Sequence, residues 1–276
     1  GYGTSTTGTY TIDQGITQVT REQLEDIHLP PFADAVNRGV GSVMPSYSSM
    51  QFTDEDNQPL KMHAHDDLIN GTLKGDMGFE GFVISDYAGI DQIGPDYPTD
   101  VRIAVNAGVD MVMVPNKYQD FVTALTGQVN AGNISQQRID DAVSRILTQK
   151  FQLGLFENPY ADTSGAGDIG SAAHRAVARE AAAASQVLLK NGTEGDEVLP
   201  LRTDQKVYVA GSNADDIGNQ TGGWTITWQG SSGDITKGTT ILAGMRQAAP
   251  NAQIDYSKDA SASTSGYDVG VVVVGE

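Results

Sequence analysis

The sequence predicts an α/β protein built as two successive domains, and three observations carry that expectation. Short apolar runs rich in β-branched residues occupy 41–47 (GSVMPSY), 81–87 (GFVISDY) and 109–115 (VDMVMVP). Each run is continuous rather than alternating, the pattern of strands buried on both faces in a parallel sheet. Helical segments separate the runs, so strand and helix alternate as βα units. A stretch rich in Pro, Asp, Ser and Gly at 158–170 then interrupts the series, and a second set of strand and helix signals follows. At 276 residues the chain is long for one domain and comfortable for two.

Helices are expected at 22–38, 66–77 and 99–107, between the apolar runs. The clearest helix covers 136–153: Ile139, Val143, Ile146 and Leu147 recur at helical spacing, with Ser135 placed to cap the start and Gly154 the end. After the linker an Ala-rich helix is expected over 174–190, closed by Asn191 and Gly192. The run KVYVA at 206–210 opens the second strand series. Residues 218–238 and 257–267 read as polar loops, and the first of these holds both tryptophans. The last residues, VGVVVVGE at 269–276, read as a buried strand that stops as it leaves its sheet. An uncapped core strand is a rare place for a chain to end, so a larger polypeptide is expected.

Composition narrows the function classes. A hydrophobic content of 39% is enough for real cores and too much for a disordered chain. The formal net charge of -18 repels nucleic acid and anionic lipid, so neither a nucleic acid nor a membrane is an expected partner. No apolar run approaches the roughly 20 residues that span a bilayer. There is no cysteine, hence no disulfide and no thiolate chemistry. No secretory leader opens the chain, which starts at Gly1 rather than Met. GxGxxG occurs once, as GAGDIG at 165–170, inside the linker stretch and after no strand run, and GxxxxGK[ST] and GxSxG are absent, so nucleotide binding and a serine nucleophile elbow have no support. His63 and His65 form a His-x-His pair, too weak a pattern for a metal centre; no metal and no cofactor is expected.

Two places can carry chemistry. Asp86 ends the run 81–87, and in parallel α/β sheets the C-terminal ends of strands hold the active sites. A carboxylate there either caps a turn or bonds a neighbouring loop, or stands poised beside the flat wall of Tyr87 as a nucleophile toward a sugar. Trp224 and Trp228 lie four residues apart in GGWTITWQG. They are either core packing or, given flanks of Gly, Thr and Gln, rings held out for a ligand.

Taken together these residues resemble a known family. The run KMHAHDDLINGTLKGDMGFEGFVISDYAGIDQI at 61–93 is similar to the nucleophile segment of glycoside hydrolase family 3, whose pattern there is GF-x-G-hydrophobic-V-x-S-D-[WY]. Asp86 falls on the family's nucleophile and Tyr87 on its aromatic neighbour. HLPPFADAVNRGVGSVMPSYSSM resembles the preceding strand, which implies that Met44 and Tyr47 line the sugar site. AVNAGVDMVMVPNKY, RIDDAVSRILTQKFQLGLFENPY and AREAAAASQVLLKNG resemble the last barrel units and the entry to the second domain. GGWTITWQG resembles the loop with which β-glucan exohydrolases close over the site, implying that Trp228, helped by Trp224, faces Tyr87 across a glucosyl unit. The resemblance covers nearly the whole chain.

It implies the C-terminal part of a (β/α)8-type barrel over 1–158, a linker over 159–174, and the start of an α/β sandwich domain over 175–276. It further implies retaining, exo-acting hydrolysis that releases glucose from β-glucosides or β-1,3/1,4-glucans, with a secreted or periplasmic location. The partners implied are an oligosaccharide or β-glucoside substrate, and a missing segment supplying the remaining half of the barrel. Three departures stand out. The family's substrate-gripping Lys-His pair and the sugar-binding Asp and Arg of the first half-barrel have no counterpart here. Glu276 matches the first Glu of the family pattern VGE-x-PY-x-E, which puts the acid/base Glu about five residues further on. Gln92 stands where exohydrolases often carry Arg. A sugar-binding protein without turnover, or β-xylosidase specificity, are the alternatives left open.

Overall fold

The computed structural model describes residues 14–275. Glu276, on which one of the departures above turns, lies outside the described residues. The chain divides into two compact units, Gly1–Gly165 and Ala166–Glu276.

In the first unit, strand β1 (Ile16–Val19) leads to helix α1 (Arg21–Gln23), started by a capping box between Thr20 and Gln23. A wider helical turn, Leu24–His28, and helix α2 (Pro30–Asn37) follow. The single helix expected over 22–38 is therefore three successive pieces. Pro30 and Pro31 have no N–H to donate back, so the ladder restarts at them as a new first turn. Strands β2 (Ser42–Val43), β3 (Ser49–Phe52), β4 (Leu60–Lys61) and β5 (Phe82–Val83) come next, with a helical stretch at Asp67–Asp76 before β5. That stretch, expected at 66–77, is widened: the Met77 N–H reaches five residues back to Thr72 O. Helices α3 (Tyr97–Asn106), α4 (Tyr118–Asn130) and α5 (Gln136–Gln152) complete the unit. Ser135 caps α5 through the Arg138 N–H, and Gly154 follows in the left-handed region at φ 66°. Helix α4 is not among the expected helices. Lys117 gives it no side-chain cap, so no start signal marks it, and its apolar stripe, Phe121, Ala124, Leu125 and Val129, packs on the core without being fully buried.

The three apolar runs do lie side by side in parallel. β2 pairs with β5 in the register Ser42↔Phe82 and Val43↔Val83, and the bridge Ile84↔Met111 adds the third run. β1 pairs in parallel with β3, which pairs antiparallel with β4. The approach of β2 to β5 needs Gly81, because a Cβ there would stand 2.4 Å from Gly41 O. The stretch Asp67–Asp76 packs Ile69 and Leu73, α3 packs Val101 and Val105, and the connection from α4 to α5 packs Ile134 against Val83 and Val109, with Leu125 of α4 and Ile139 of α5 beside them. Burial on both faces is not what the runs show. Val43 and Val83 turn toward this core, while Met44 and Met111 alternate to the other side and stand exposed.

Behind the strands lies a buried ionic knot. The fully buried Asp110 carboxylate accepts from Lys74 Nζ at 2.8 Å, from Arg138 Nη2, and from the Val83 N–H at 2.8 Å. It ties the helical stretch, α5 and β5 to one point. Arg145 on α5 adds donations from Nη1 to Phe79 O at 2.8 Å and Gly81 O at 2.9 Å.

In the second unit, helix α6 (Ala172–Ala184) is capped by Ser171. It stops short of the expected 190. Ser185 Oγ and Gln186 Nε2 both donate to Ala182 O, taking over a last-turn carbonyl that a continuing helix would use. Strand β6 (Lys206–Ala210), helices α7 (Ile217–Thr221) and α8 (Ile241–Ala248), and strands β7 (Gln253–Ser257) and β8 (Val269–Val272) follow. β6 is central in a parallel sheet of order β7-β6-β8, and its residues 207–210 are buried. β8 differs from the buried run expected at 269–276. Val271 and Val273 face the core, while Val272 and Val274 are exposed, because among the described residues β8 is an edge strand covered on one face. No described helix is long and apolar enough to cross a membrane.

Candidate active site

The chain turns sharply where β5 ends, and backbone ties fix that turn. Buried Ser85 donates its N–H to Met111 O at 2.9 Å, and its Oγ accepts from the Met113 N–H at 2.8 Å. Ala88 donates to Met113 O at 3.1 Å and sits left-handed at φ 52°. Between these ties, Asp86 and Tyr87 are carried out at the C-terminal tip of the parallel strands. Tyr87 is 56% exposed. The Asp86 carboxylate caps no helix: Oδ1 accepts the next N–H, that of Tyr87, at 2.7 Å. The Asp86 N–H is taken by His63 Nε2 at 3.0 Å.

Three further residues brace this tip. The Tyr47 hydroxyl donates to Tyr87 O at 2.5 Å. Lys61 Nζ donates to Tyr47 O at 2.9 Å and to Gln92 Oε1 at 3.2 Å. His63 lies in the short turn Met62–Ala64 with 0% exposure. Burial pushes its imidazole pKa down to about 4, with the neighbouring Lys61 cation adding to the lowering and Asp86 opposing it. The pair read as a weak metal motif is thus buried in a turn: His65 is buried as well, and burial lowers it too. The described residues hold no group of three His, Cys, Asp or Glu side chains arranged for a metal ion.

A cleft of about 490 Å³ opens beside Tyr87 and is also lined by Asp91, Tyr97, Asp100 and Lys117. Burial raises the Asp91 and Asp100 carboxyls, and Asp96 and Asp91 raise Asp100 further. Met44 does not join this group. It lies 52% exposed in a separate apolar groove with Phe32, Met62 and Val83. The structure therefore gathers Asp86, Tyr87 and Tyr47 and leaves Met44 apart. Tyr47 offers its hydroxyl to the main chain of Tyr87. Lys61 and His63 lie in the motif run, which by itself assigns them no role at Asp86; a His two residues after Lys, facing a strand end, leaves no spacing signature.

In the second unit Trp224 and Trp228 are 84% and 58% exposed, which removes the core-packing role. Their loop is tied across by the Trp224 N–H donating to Trp228 O at 2.9 Å, and Thr227 Oγ1 donates to Gly230 O at 3.0 Å. Trp224 at φ 62° and Ile226 at φ 64° occupy the left-handed region, where bulky and β-branched residues are strained by about 1–3 kcal/mol each.

Comparison with known proteins accounts for both units. Residues 1–149 match the model of the glycosyl hydrolase family 3 N-terminal domain, and residues 186–276 that of the family 3 C-terminal domain. The chain belongs to glycosyl hydrolase family 3. It is similar to a lysosomal beta glucosidase of Dictyostelium discoideum, 32% identical over 98% of this chain and 32% of that protein. A periplasmic beta-glucosidase of Salmonella typhimurium is 30% identical over 92% of this chain and 32% of its own length. Among solved structures, the exo-1,3/1,4-beta-glucanase of a Pseudoalteromonas species superposes with a TM-score of 0.83 at 35% identity, over 95% of this chain and 33% of that one. The chain thus spans about a third of the relatives it matches.

Proposed function

We propose that this chain carries the nucleophile half of a retaining, exo-acting glycoside hydrolase that releases glucose from β-glucosides or β-1,3/1,4-glucans. The observation that carries the reading is Asp86 held beside an exposed Tyr87 at the C-terminal tip of parallel strands, in a chain whose relatives are named as β-glucosidases and an exo-glucanase. In this reading an Asp86 oxygen attacks the anomeric carbon. The bond from that carbon to the leaving oxygen breaks, and the oxygen takes a proton from an acid/base Glu beyond residue 276. Water, deprotonated by the same Glu, then attacks the anomeric carbon and frees the sugar and the Asp86 carboxylate. The two carboxyl groups stand roughly 5 to 5.5 Å apart in such enzymes.

Tyr87 supplies an apolar wall for the sugar ring, and Tyr47 fixes Tyr87 through its carbonyl. Trp224 and Trp228 are sugar-stacking rings on a second, α/β sandwich domain beginning near 175. Residues 1–158 are the later part of a (β/α)8-type barrel, 159–174 the linker, and the remaining barrel strands come from a segment not in this sequence. Met44 keeps a place in the sugar site only if that segment covers the groove it lines. Sugar binding without turnover has less support, since these relatives carry the names of hydrolases. The periplasmic relative favours a secreted or periplasmic protein.

The test is peptide mass spectrometry after the full-length protein is incubated with a 2-deoxy-2-fluoro β-glucoside, which accumulates the glycosyl-enzyme. A label on Asp86, lost in Asp86→Ala together with turnover, is the expected result. A folded full-length protein that hydrolyses β-glucosides at the wild-type rate after Asp86→Ala would remove Asp86 from the mechanism.

A further inference from the structure

The Asp86 N–H is held by a side chain from a distant turn. Ser85 and Ala88 give their N–H groups to backbone carbonyls of the neighbouring run, but the Asp86 N–H goes to a side chain, His63 Nε2, at 3.0 Å. A nitrogen that accepts an N–H carries no proton, so the neutral ring bears its hydrogen on Nδ1. Nδ1 is buried and has no hydrogen-bond partner among the described residues. Burying a donor without a partner is costly, which turns attention to the bond its other nitrogen makes. The ring is also clamped. A Cβ on Gly89 would stand 2.5 Å from Nε2, so the backbone of the turn after Asp86 lies against the imidazole, and the Tyr47 ring centroid is 6.4 Å from that of His63. The groups facing it are Asp86, Lys61, Tyr47 and the Gly89 backbone.

We propose that His63 is a positioning residue for Asp86: its Nε2 holds the Asp86 main-chain N–H and so fixes the direction in which the carboxylate leaves the strand. This deepens the functional reading above and rests on it. The consequence of losing the acceptor follows from geometry. A half-buried N–H left without a partner turns to the nearest acceptor, its own carboxylate, which already receives the Tyr87 N–H at 2.7 Å. The carboxylate then folds back on its own backbone and away from the anomeric carbon. Protonation of His63 has the same effect, because Nε2 becomes a donor facing a donor. Burial keeps the ring neutral down to about 4, so the hold persists through the pH range in which most proteins are stable.

Two amide variants separate positioning from space filling. In His63→Gln the side-chain oxygen reaches the place of Nε2; in His63→Asn it reaches only the place of Nδ1. Both remove the titration and both keep a polar side chain. The full-length protein is trapped with the 2-deoxy-2-fluoro β-glucoside, and the maximal labelling rate of Asp86 is read separately from the reagent's apparent affinity. The expected result is that H63Q labels within threefold of wild type. H63N should fall at least tenfold in rate with affinity changed less than threefold. Equal rates for the two variants, whether high or low, overturn the proposal. So does a folded H63Q that labels ten times more slowly than wild type, a comparison that stands if H63N does not fold. A wild type that takes no label removes the functional reading and the role of His63 with it; a labelled wild type with equal variants removes the role of His63 alone.

Discussion

At the scale of single residues, what distinguishes Asp86 is the number of independent ties that fix its backbone. Ser85 locks the strand end from one side and His63 holds the N–H from the other, so the carboxylate starts from one direction. His63 also makes stability depend on pH. Its folded value of about 4 lies below the ordinary histidine value of about 6.5. As pH falls, the unfolded chain takes up the proton first, so this contribution is full above about pH 6.5, declines down to about pH 4, and is lost below that. The span corresponds to roughly 3 kcal/mol. Chemical denaturation of the full-length protein at pH 7, 5.5 and 4 should show a decline over that window that is shallower in His63→Gln. An unchanged profile would mean that other groups, His65 among them, carry it. The exposed Trp228 belongs to the same scale. If its ring stacks on substrate, Trp228→Ala should raise KM about tenfold, close to 1.4 kcal/mol, with unfolding unchanged, as steady-state kinetics on an aryl β-glucoside would read.

At the scale of elements, the strands are short and their register is pinned from behind. Asp110 sits in a run that reads as pure strand, VDMVMVP, yet its carboxylate is the point at which Lys74, Arg138 and the Val83 N–H meet. Burial lowers Lys74, and the paired Asp110 opposes that lowering. Asp110→Asn leaves two buried cations facing a neutral amide, and should cost about 3–5 kcal/mol. A denaturant midpoint that moves down at constant slope would register the loss. A shift of less than about 1 kcal/mol would mean that the knot is wetter than its burial indicates. Element boundaries were legible where capping and periodicity agreed, as for α5, whose Ser135 and Gly154 signals both hold. They were not legible where side chains compete locally for the backbone, as at Ser185 and Gln186, or where proline restarts a helix, as at Pro30.

At the scale of the whole molecule, two compact cores are joined by chain that packs on little. The residues from 157 to 170 are exposed throughout. Limited proteolysis of the full-length protein should cut there first, giving fragments that divide between Phe156 and Ser171 on mass spectrometry; first cuts within β6 or α5 would contradict two independent cores. The net charge of -18 disfavours nucleic acid or anionic lipid as a partner and leaves a neutral sugar acceptable.

The sequence by itself determined the α/β class, the parallel order of the three apolar runs and the family, because strand–helix alternation and the combined motif runs, from 61–93 onward, are local patterns read along the chain. Asp86 was visible for the same reason: it ends a strand. What only the tertiary structure decided was the company Asp86 keeps. His63 is 23 residues away and Tyr47 a further 16 upstream of His63, and neither spacing encodes a contact. Their meeting depends on β2 and β5 pairing across a helix, which brings distant turns to one edge. The exposure of Met44 was likewise beyond sequence reading, since a strand's alternation fixes which side a residue takes but not what covers that side.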